Sequence, residues 1–403
     1  MKTLKSITIF LLLTVAMAGT LFTGCNKESD DVGKHPTIKY IRVTNPASAD
    51  SLVVSAYMGS LIAIMGEDLQ GLKELWFNDQ KAKLNPAYIT ATSILVSVPS
   101  IIPDSVSDQM TLLFKDGQTL TYPFRVDVPA PILSSMLCEY VNAGDTAVIY
   151  GNYFLPAEGS DKPNVYFSDN VKAETIVSWS MDELKVIVPD GAVSGKVTVE
   201  SMYGATRSSF IFRDNTNIIL NFEDSSYGNP WGLGGFGTQN GCSGQYLQFV
   251  GTLGSWQWLN PMMFGYWAKY GAGDVPVAEG QVDNLELCFE ANVVTWSDVP
   301  MLIWFDKYDT PDGINTDGEP AQAHWKPYNK DGVKSTYSSN GWITVSIPLS
   351  DFIYNKDESK ADLKIDNIEL YTNVTFMLFG ASDDTYPIDI RIDNVRIVPL
   401  KNK

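Results

Sequence analysis

Ten tryptophans, nineteen tyrosines and eighteen phenylalanines in 403 residues are the side chains of this sequence with the most chemistry to explain. Eight of the tryptophans follow Asn217, at 231, 256, 258, 267, 296, 304, 325 and 342. In the run Met301–Asp306, Met301, Ile303 and Phe305 alternate along one face, which leaves Trp304 on the other, in phase with Asp306. Leu285–Asn292 alternates in the same way, turning Glu286, Cys288 and Glu290 away from Leu285, Leu287 and Phe289. Together the two runs suggest one sheet face that carries carboxylates beside an indole. The loop Ala323-His324-Trp325-Lys326-Pro327-Tyr328 offers two more rings. An exposed indole or phenol plane is what a pyranose needs: its axial C–H face desolvates against the ring, while carboxylates and amides hold its equatorial hydroxyls. Trp304, Trp325 and Tyr328 are the leading candidates for such contacts, followed by Trp296, Trp231, Glu290 and Asp306. Trp342, Trp256 and Trp258 read as packing residues.

Other chemistries find less support. With only His35 and His324, a multi-histidine zinc site or a histidine-based triad has too few parts. Two carboxylates suffice for glycoside hydrolysis, so a hydrolase built on Glu286, Glu290 and Asp306 is the alternative reading; an adhesin for a protein partner is a third. No catalytic residue, cofactor or metal is assigned, and Glu223, Asp224 and Asp393 read as solvated strand-end acids. A formal charge of −18 repels phosphate backbones and argues against nucleic acid as a partner. Cys138, Cys242 and Cys288 allow one disulfide, with Cys242 and Cys288 the sensible pair, but buried free thiols are the plainer reading.

The elements that must position these residues are strands. Short apolar runs rich in Val, Ile, Phe and Tyr are broken every ten residues or so by Gly, Pro, Asn or Asp, so the chain reads as all-β. Residues 1–24 have the basic start and short apolar core of a signal peptide, too short to span a hydrocarbon layer of roughly 30 Å. Cys25 follows Thr23-Gly24, and residues 25–34 form a polar, acidic tether. Two repeats come next, 35–128 and 129–214. Met65-Gly66-Glu67-Asp68-Leu69 matches Tyr150-Gly151-Asn152-Tyr153-Phe154, Leu75-Trp76-Phe77-Asn78-Asp79 matches Val165-Tyr166-Phe167-Ser168-Asp169, and Val98-Pro99 matches Val188-Pro189. Their period of about 90 residues suits an immunoglobulin-like sandwich, in which the repeated glycine turns a tight corner. Residues 217–403 read as one jelly-roll-like β-sandwich. Its final run alternates Ile388, Ile390 and Ile392, then slips phase to Val395 and Ile397, which predicts a bulge at Asp393-Asn394.

Four resemblances follow from these motifs. The Thr23-Gly24-Cys25 ending resembles a bacterial lipobox, which implies lipidation of Cys25, and Asn26-Lys27-Glu28-Ser29-Asp30-Asp31 resembles the export tag of surface lipoproteins, which implies the outer face of the outer membrane. The two repeats resemble IPT/TIG domains. The C-terminal third resembles the glycan-binding domain of the surface glycan-binding protein B family, through Leu220-Asn221-Phe222-Glu223-Asp224, His324-Trp325-Lys326-Pro327-Tyr328, the run from Gly341-Trp342 to Asp351-Phe352, and Asp389-Ile390-Arg391-Ile392-Asp393-Asn394. That resemblance implies a non-catalytic lipoprotein that captures a polysaccharide of the β-glucan class, such as xyloglucan or mixed-linkage glucan, on an aromatic platform, beside a glycan transporter complex. It also implies spacer repeats, with binding confined to the last domain. If acyl chains on Cys25 supply the attachment, at about 0.8 kcal/mol per buried CH₂, Cys25→Ala releases the protein from the membrane fraction; undiminished retention would refute the anchor.

Overall fold

The computed structural model describes residues 35–223, 234–265, 281–306 and 321–401, apart from positions 46, 48–50, 169, 257, 363, 366–367, 369–370, 372 and 381–382. The leader, the tether with Cys25, and Trp231 lie outside the described residues. Among these residues the regular structure is strand, with single turns of 3-10 helix at Pro86–Tyr88, Val282–Asn284 and Leu349–Asp351. The chain separates into two compact units, residues 1–128 and 129–403.

The first unit is a sandwich. The strands Thr37–Val43, Leu61–Glu67 and Ser93–Ser97 form one sheet, and Gln80–Lys81, Leu72–Phe77, Gln109–Phe114 and Thr119–Pro123 form the other. Ile41, Ile64, Leu75, Ile94, Leu112 and Phe124 fill the space between them. Residues 132–212 repeat the pattern. Ile132–Met136, Thr146–Asn152, Glu183–Ile187 and Ile176–Trp179 face Val171–Lys172, Asn164–Phe167, Gly195–Ser201 and Gly204–Phe212 across a separate core of Ile149, Val165, Phe167, Val186 and Phe212.

The repeated glycine does a different job from the one expected. Gly66 and Gly151 lie inside strands, each opposite a bulge in its neighbour, between Ile38 and Tyr40 and between Leu133 and Ser135. A Cβ at Gly66 would sit 1.9 Å from the Thr37 carbonyl oxygen, and one at Gly151 1.8 Å from that of Ile132. Close backbone approach, not a tight turn, is what excludes a side chain there. The left-handed residues come two positions later, at Asp68 (φ 54°) and Tyr153 (φ 58°).

The C-terminal sandwich has a six-stranded and a four-stranded sheet. In the larger, Gly234–Gly237, Tyr246–Leu253, Tyr386–Pro399, Leu285–Thr295 and Trp342–Pro348 pair in that order, with Ile218–Leu220 also on Tyr386–Pro399. The smaller runs Trp258–Gly265, Asn373–Phe379, Met301–Asp306, Gln322–Trp325. The bulge expected at Asp393-Asn394 is present: Cys288 pairs with Arg396 but Glu290 with Asp393, and Asn394 takes φ 48°. It lets Ile390, Ile392, Val395 and Ile397 all reach the core despite the phase slip.

The outer face of the six-stranded sheet is covered by the second immunoglobulin-like sandwich, and the carboxylates expected on an open face are sealed there. Arg396, fully buried, makes a bidentate pair with Glu290 (Nη1–Oε2 2.7 Å, Nη2–Oε1 3.1 Å) and reaches Glu139 of the second sandwich at 2.6 Å. Lys401 joins from just beyond the end of Tyr386–Pro399, 2.5 Å from Glu139 and 3.7 Å from Glu286. Backbone links accompany the charges, Thr344 N to the Leu137 carbonyl at 2.8 Å and Glu139 N to Thr344 Oγ1 at 2.7 Å. Burial works against the charge on Arg396, and the Glu290 and Glu139 carboxylates more than reverse it, so the guanidinium stays protonated. Burial raises the Glu290 carboxyl and Arg396 opposes that rise, so Glu290 is a buried structural group and not an exposed ligand contact. A fragment starting at Asn217 would lose Glu139 and expose this cluster, so the last domain has its own core but not an independent surface.

The three interior cysteines are free and buried. Cys242 lies with Cys138 and Tyr140 in an apolar pocket at this junction, whereas Cys288 contacts Ser346 and Glu286, so the 242–288 pair does not form. Burial raises all three thiols, that of Cys288 to about 12. Asp393, expected to be a solvated strand-end acid, is likewise enclosed. It accepts from Asn394 N at 2.8 Å and Ser243 Oγ at 3.1 Å, and burial pushes its carboxyl up to about 8 from 3.8. The native state then holds a proton that the unfolded chain releases. The associated stability is complete below about pH 3.8 and is lost as pH rises through about 8. The melting temperature should accordingly fall between about pH 4 and 8, and Asp393→Asn should flatten that fall; an unchanged slope in the variant would exclude Asp393 as its source.

Candidate glycan-binding face

The four-stranded sheet has its own inner and outer sides. Met301, Ile303 and Phe305 point into the core with Val374, Phe376 and Leu378 of the neighbouring strand. The intervening residues, Leu302, Trp304 and Asp306 beside Asn373, Thr375 and Met377, point away from it. Trp304 thus stands on the outer side, as alternation requires, and is half-buried. Its indole Nε1 donates to Asp306 Oδ2 at 2.8 Å, two positions along the same strand face. That bond uses the ring's only polar atom and fixes its plane, leaving an apolar surface to present.

Cross-strand register groups further residues around this indole. Trp304 pairs with Gln322 on one side and Thr375 on the other, Leu302 with His324 and Met377, and Asp306 with Asn373. Asp306, Gln322, Asn373 and Thr375 are all buried. Asp306, Gln322 and Asn373 have partners there, as buried polar groups require. Among the described residues, Thr375 Oγ1 has no hydrogen-bond partner. His324 packs against Tyr354, ring centroids 5.5 Å apart, and Tyr354 pairs through its backbone with Gln322. Burial, with Lys326 nearby, lowers the imidazole's pKa, so His324 is neutral at pH 7 and offers one donor and one acceptor. The face can therefore supply the half-buried plane of Trp304 with His324 beside it, above side chains that the protein itself encloses.

Several expected contacts belong to the core instead. His324 faces outward, so its strand neighbour Trp325 must face inward, where it packs edge-to-face on Phe289 (5.3 Å) and Trp296 (4.9 Å). Trp296 is fully buried and donates from Nε1 to the Val299 carbonyl at 2.7 Å. Tyr328 is buried against Trp296 at 5.5 Å. Glu290 and Asp306, which the hydrolase alternative would pair, point outward from opposite sheets with the whole core between them, roughly 10 Å thick. Sequence reasoning missed Gln322, His324, Asn373 and Thr375; the alternation Asn373, Thr375, Met377 against Val374, Phe376, Leu378 was the available signal. It also took Trp256 for a packing residue, and Trp256 is exposed.

Residues 212–399 match the family described as surface glycan-binding protein B xyloglucan binding domain. The C-terminal sandwich is thus similar to that family's domain. A crystal structure of a surface glycan-binding protein B from Prevotella bryantii is similar over 91% of this chain and 99% of its own, at 26% identity and a TM-score of 0.73. One from a complex xyloglucan utilization locus of Bacteroides uniformis shares the fold, at 17% identity and a TM-score of 0.51 over 91% of this chain and 100% of its own. An IPT/TIG domain-containing protein of Bacteroides ovatus is 23% identical over 397 residues, which cover 71% of this chain and 79% of that protein. The family agrees with the all-β, glycan-binding organisation expected from the motifs.

The two classes of tryptophan should separate in stability measurements. Trp296→Ala leaves a core cavity and should cost about 3–5 kcal/mol in chemical denaturation. Trp304→Ala should cost about 1 kcal/mol or less, as for a partly exposed ring outside the core. Equal costs would place Trp304 in the packing.

Proposed function

We propose that this protein is a non-catalytic, cell-surface lipoprotein that captures a β-glucan such as xyloglucan or mixed-linkage glucan for uptake. The outer side of the four-stranded sheet is the binding face in this reading. The observation that carries it is Trp304, its indole oriented by Asp306 on the non-core side of a domain similar to a glycan-binding family. A flat apolar ring above Gln322, Thr375 and neutral His324 suits a neutral pyranose, which offers C–H faces and hydroxyls but no charge. The absence of a facing carboxylate pair at Glu286, Glu290 and Asp306 favours capture over hydrolysis. Lipid at Cys25 would hold the protein on the outer membrane, and a neighbouring glycan transporter complex would receive the captured chain.

Affinity electrophoresis of the purified protein against a polysaccharide panel, with assay of reducing ends, tests this function. Retardation by a β-glucan without release of reducing ends is expected; release would make the protein a hydrolase, and no retardation by any glucan would refute capture. Within the retarding glycan, Trp304→Ala should weaken binding about thirtyfold, near 2 kcal/mol, the loss typical of an aromatic hot spot.

A further inference from the structure

Trp256 combines three features that packing does not account for. It is 59% exposed, its backbone has φ 51°, and its Nε1 donates to Asp383 Oδ1 at 2.8 Å. A non-glycine residue in the left-handed region is strained, and such strain persists where something else compensates for it. The ring gains little from burial here. Asp383 satisfies its polar atom in the way that Asp306 satisfies that of Trp304, so both indoles are oriented by an aspartate and present apolar faces.

Topology places Trp256 at the rim of the candidate face. Residues 253–258 cross from the six-stranded sheet to the edge strand Trp258–Gly265 of the four-stranded sheet, and Asp383 lies on the return crossing from Asn373–Phe379 to Tyr386–Pro399. Trp258 pairs with Phe379, so this rim adjoins the Phe379 end of the strand that carries Thr375 beside Trp304. At about 3.3 Å per residue, Phe379 is roughly 13 Å along that strand from Thr375.

We propose that Trp256, held by Asp383, is a second stacking contact for the captured polysaccharide, reached only by chains long enough to extend from Trp304 past the edge of the sheet. This rests on the reading of the Trp304 face as a glycan site. A neutral polymer fits both contacts, because each presents a ring face beside an aspartate that would repel an anionic chain. Joining two modest contacts through one ligand raises affinity for the polymer over that for a short fragment.

Trp256→Gly is the decisive variant, since glycine adopts this backbone without strain. Wild type, Trp256→Gly and Trp304→Ala, each as the full mature chain, are titrated by calorimetry with polymeric mixed-linkage β-glucan and with its tetrasaccharide. For Trp256→Gly the expected result is about tenfold weaker polymer binding, unchanged tetrasaccharide binding, and a melting temperature equal to or above wild type. Unchanged polymer affinity, or a sharply lower melting temperature, overturns the rim contact. If wild type binds neither ligand nor any other glucan, or Trp304→Ala binds like wild type, the face itself is misassigned; the loss expected in Trp304→Ala together with a silent Trp256→Gly removes only the rim.

Discussion

The arrangement of residues 129–403 turns on one buried guanidinium. Arg396 sits on the central strand of the six-stranded sheet, yet its partners come from two domains: Glu290 from the adjacent strand and Glu139 from the second sandwich, 257 positions earlier in the chain. Placing one cation and two carboxylates in a buried interface is expensive in itself, and well-packed apolar residues can hold domains as firmly. What the cluster adds is selectivity of arrangement. Separating the domains, or shifting the sheet by one residue, would leave a charge buried without its partner, at a cost of about 3–5 kcal/mol. Lys401 and the hydrogen bonds at Thr344 reinforce the same register.

That interface also decides which side of the C-terminal sandwich can meet a ligand. Both sheets have a polar outer side, and in both it alternates with the core residues. One side carries Glu286, Cys288 and Glu290 and is closed by the neighbouring domain. The other carries Trp304 over Gln322, Thr375 and Asp306. Polar side chains on the first are matched by protein groups, whereas on the second an indole remains accessible. Once the second sandwich docks, the division of labour between the two sheets follows.

The strands, the internal repeat and the bulge at Asp393-Asn394 were legible because each leaves a local mark: alternation, matching motifs, or a phase slip. Trp304 was placed on the correct side of its strand for the same reason. Alternation does not say which strands share a sheet, so Glu290 and Trp304 were assigned to one face when they lie on opposite sides of the core. Trp325 illustrates a second limit. Reading Ala323 to Tyr328 as a loop removed the constraint that neighbours on a strand point opposite ways, and it is that constraint which turns His324 out and Trp325 in. The pairing of Glu139 with Arg396 left no mark at all, since it depends on how two separate sandwiches dock. The role of Gly66 and Gly151 was half legible: their invariance between repeats was visible, but the bulge pressing a carbonyl against each was not.

The position of Tyr386–Pro399 has a consequence for how the chain reaches its final form. This strand, late in the sequence, is internal to its sheet, with Tyr246–Leu253 on one side and Leu285–Thr295 on the other, pairing Leu247 with Ile392 and Leu287 with Ile397. Until it arrives, two earlier strands have no common neighbour, and Arg396 cannot yet bridge the domains. Contacts of such long sequence separation form slowly because loop-closure entropy must be overcome first. The six-stranded sheet is therefore assembled around one of its last-made segments, and this sandwich cannot close over its core before that segment is made. Removing that one strand would leave Tyr246–Leu253 and Leu285–Thr295 each with an unpaired edge.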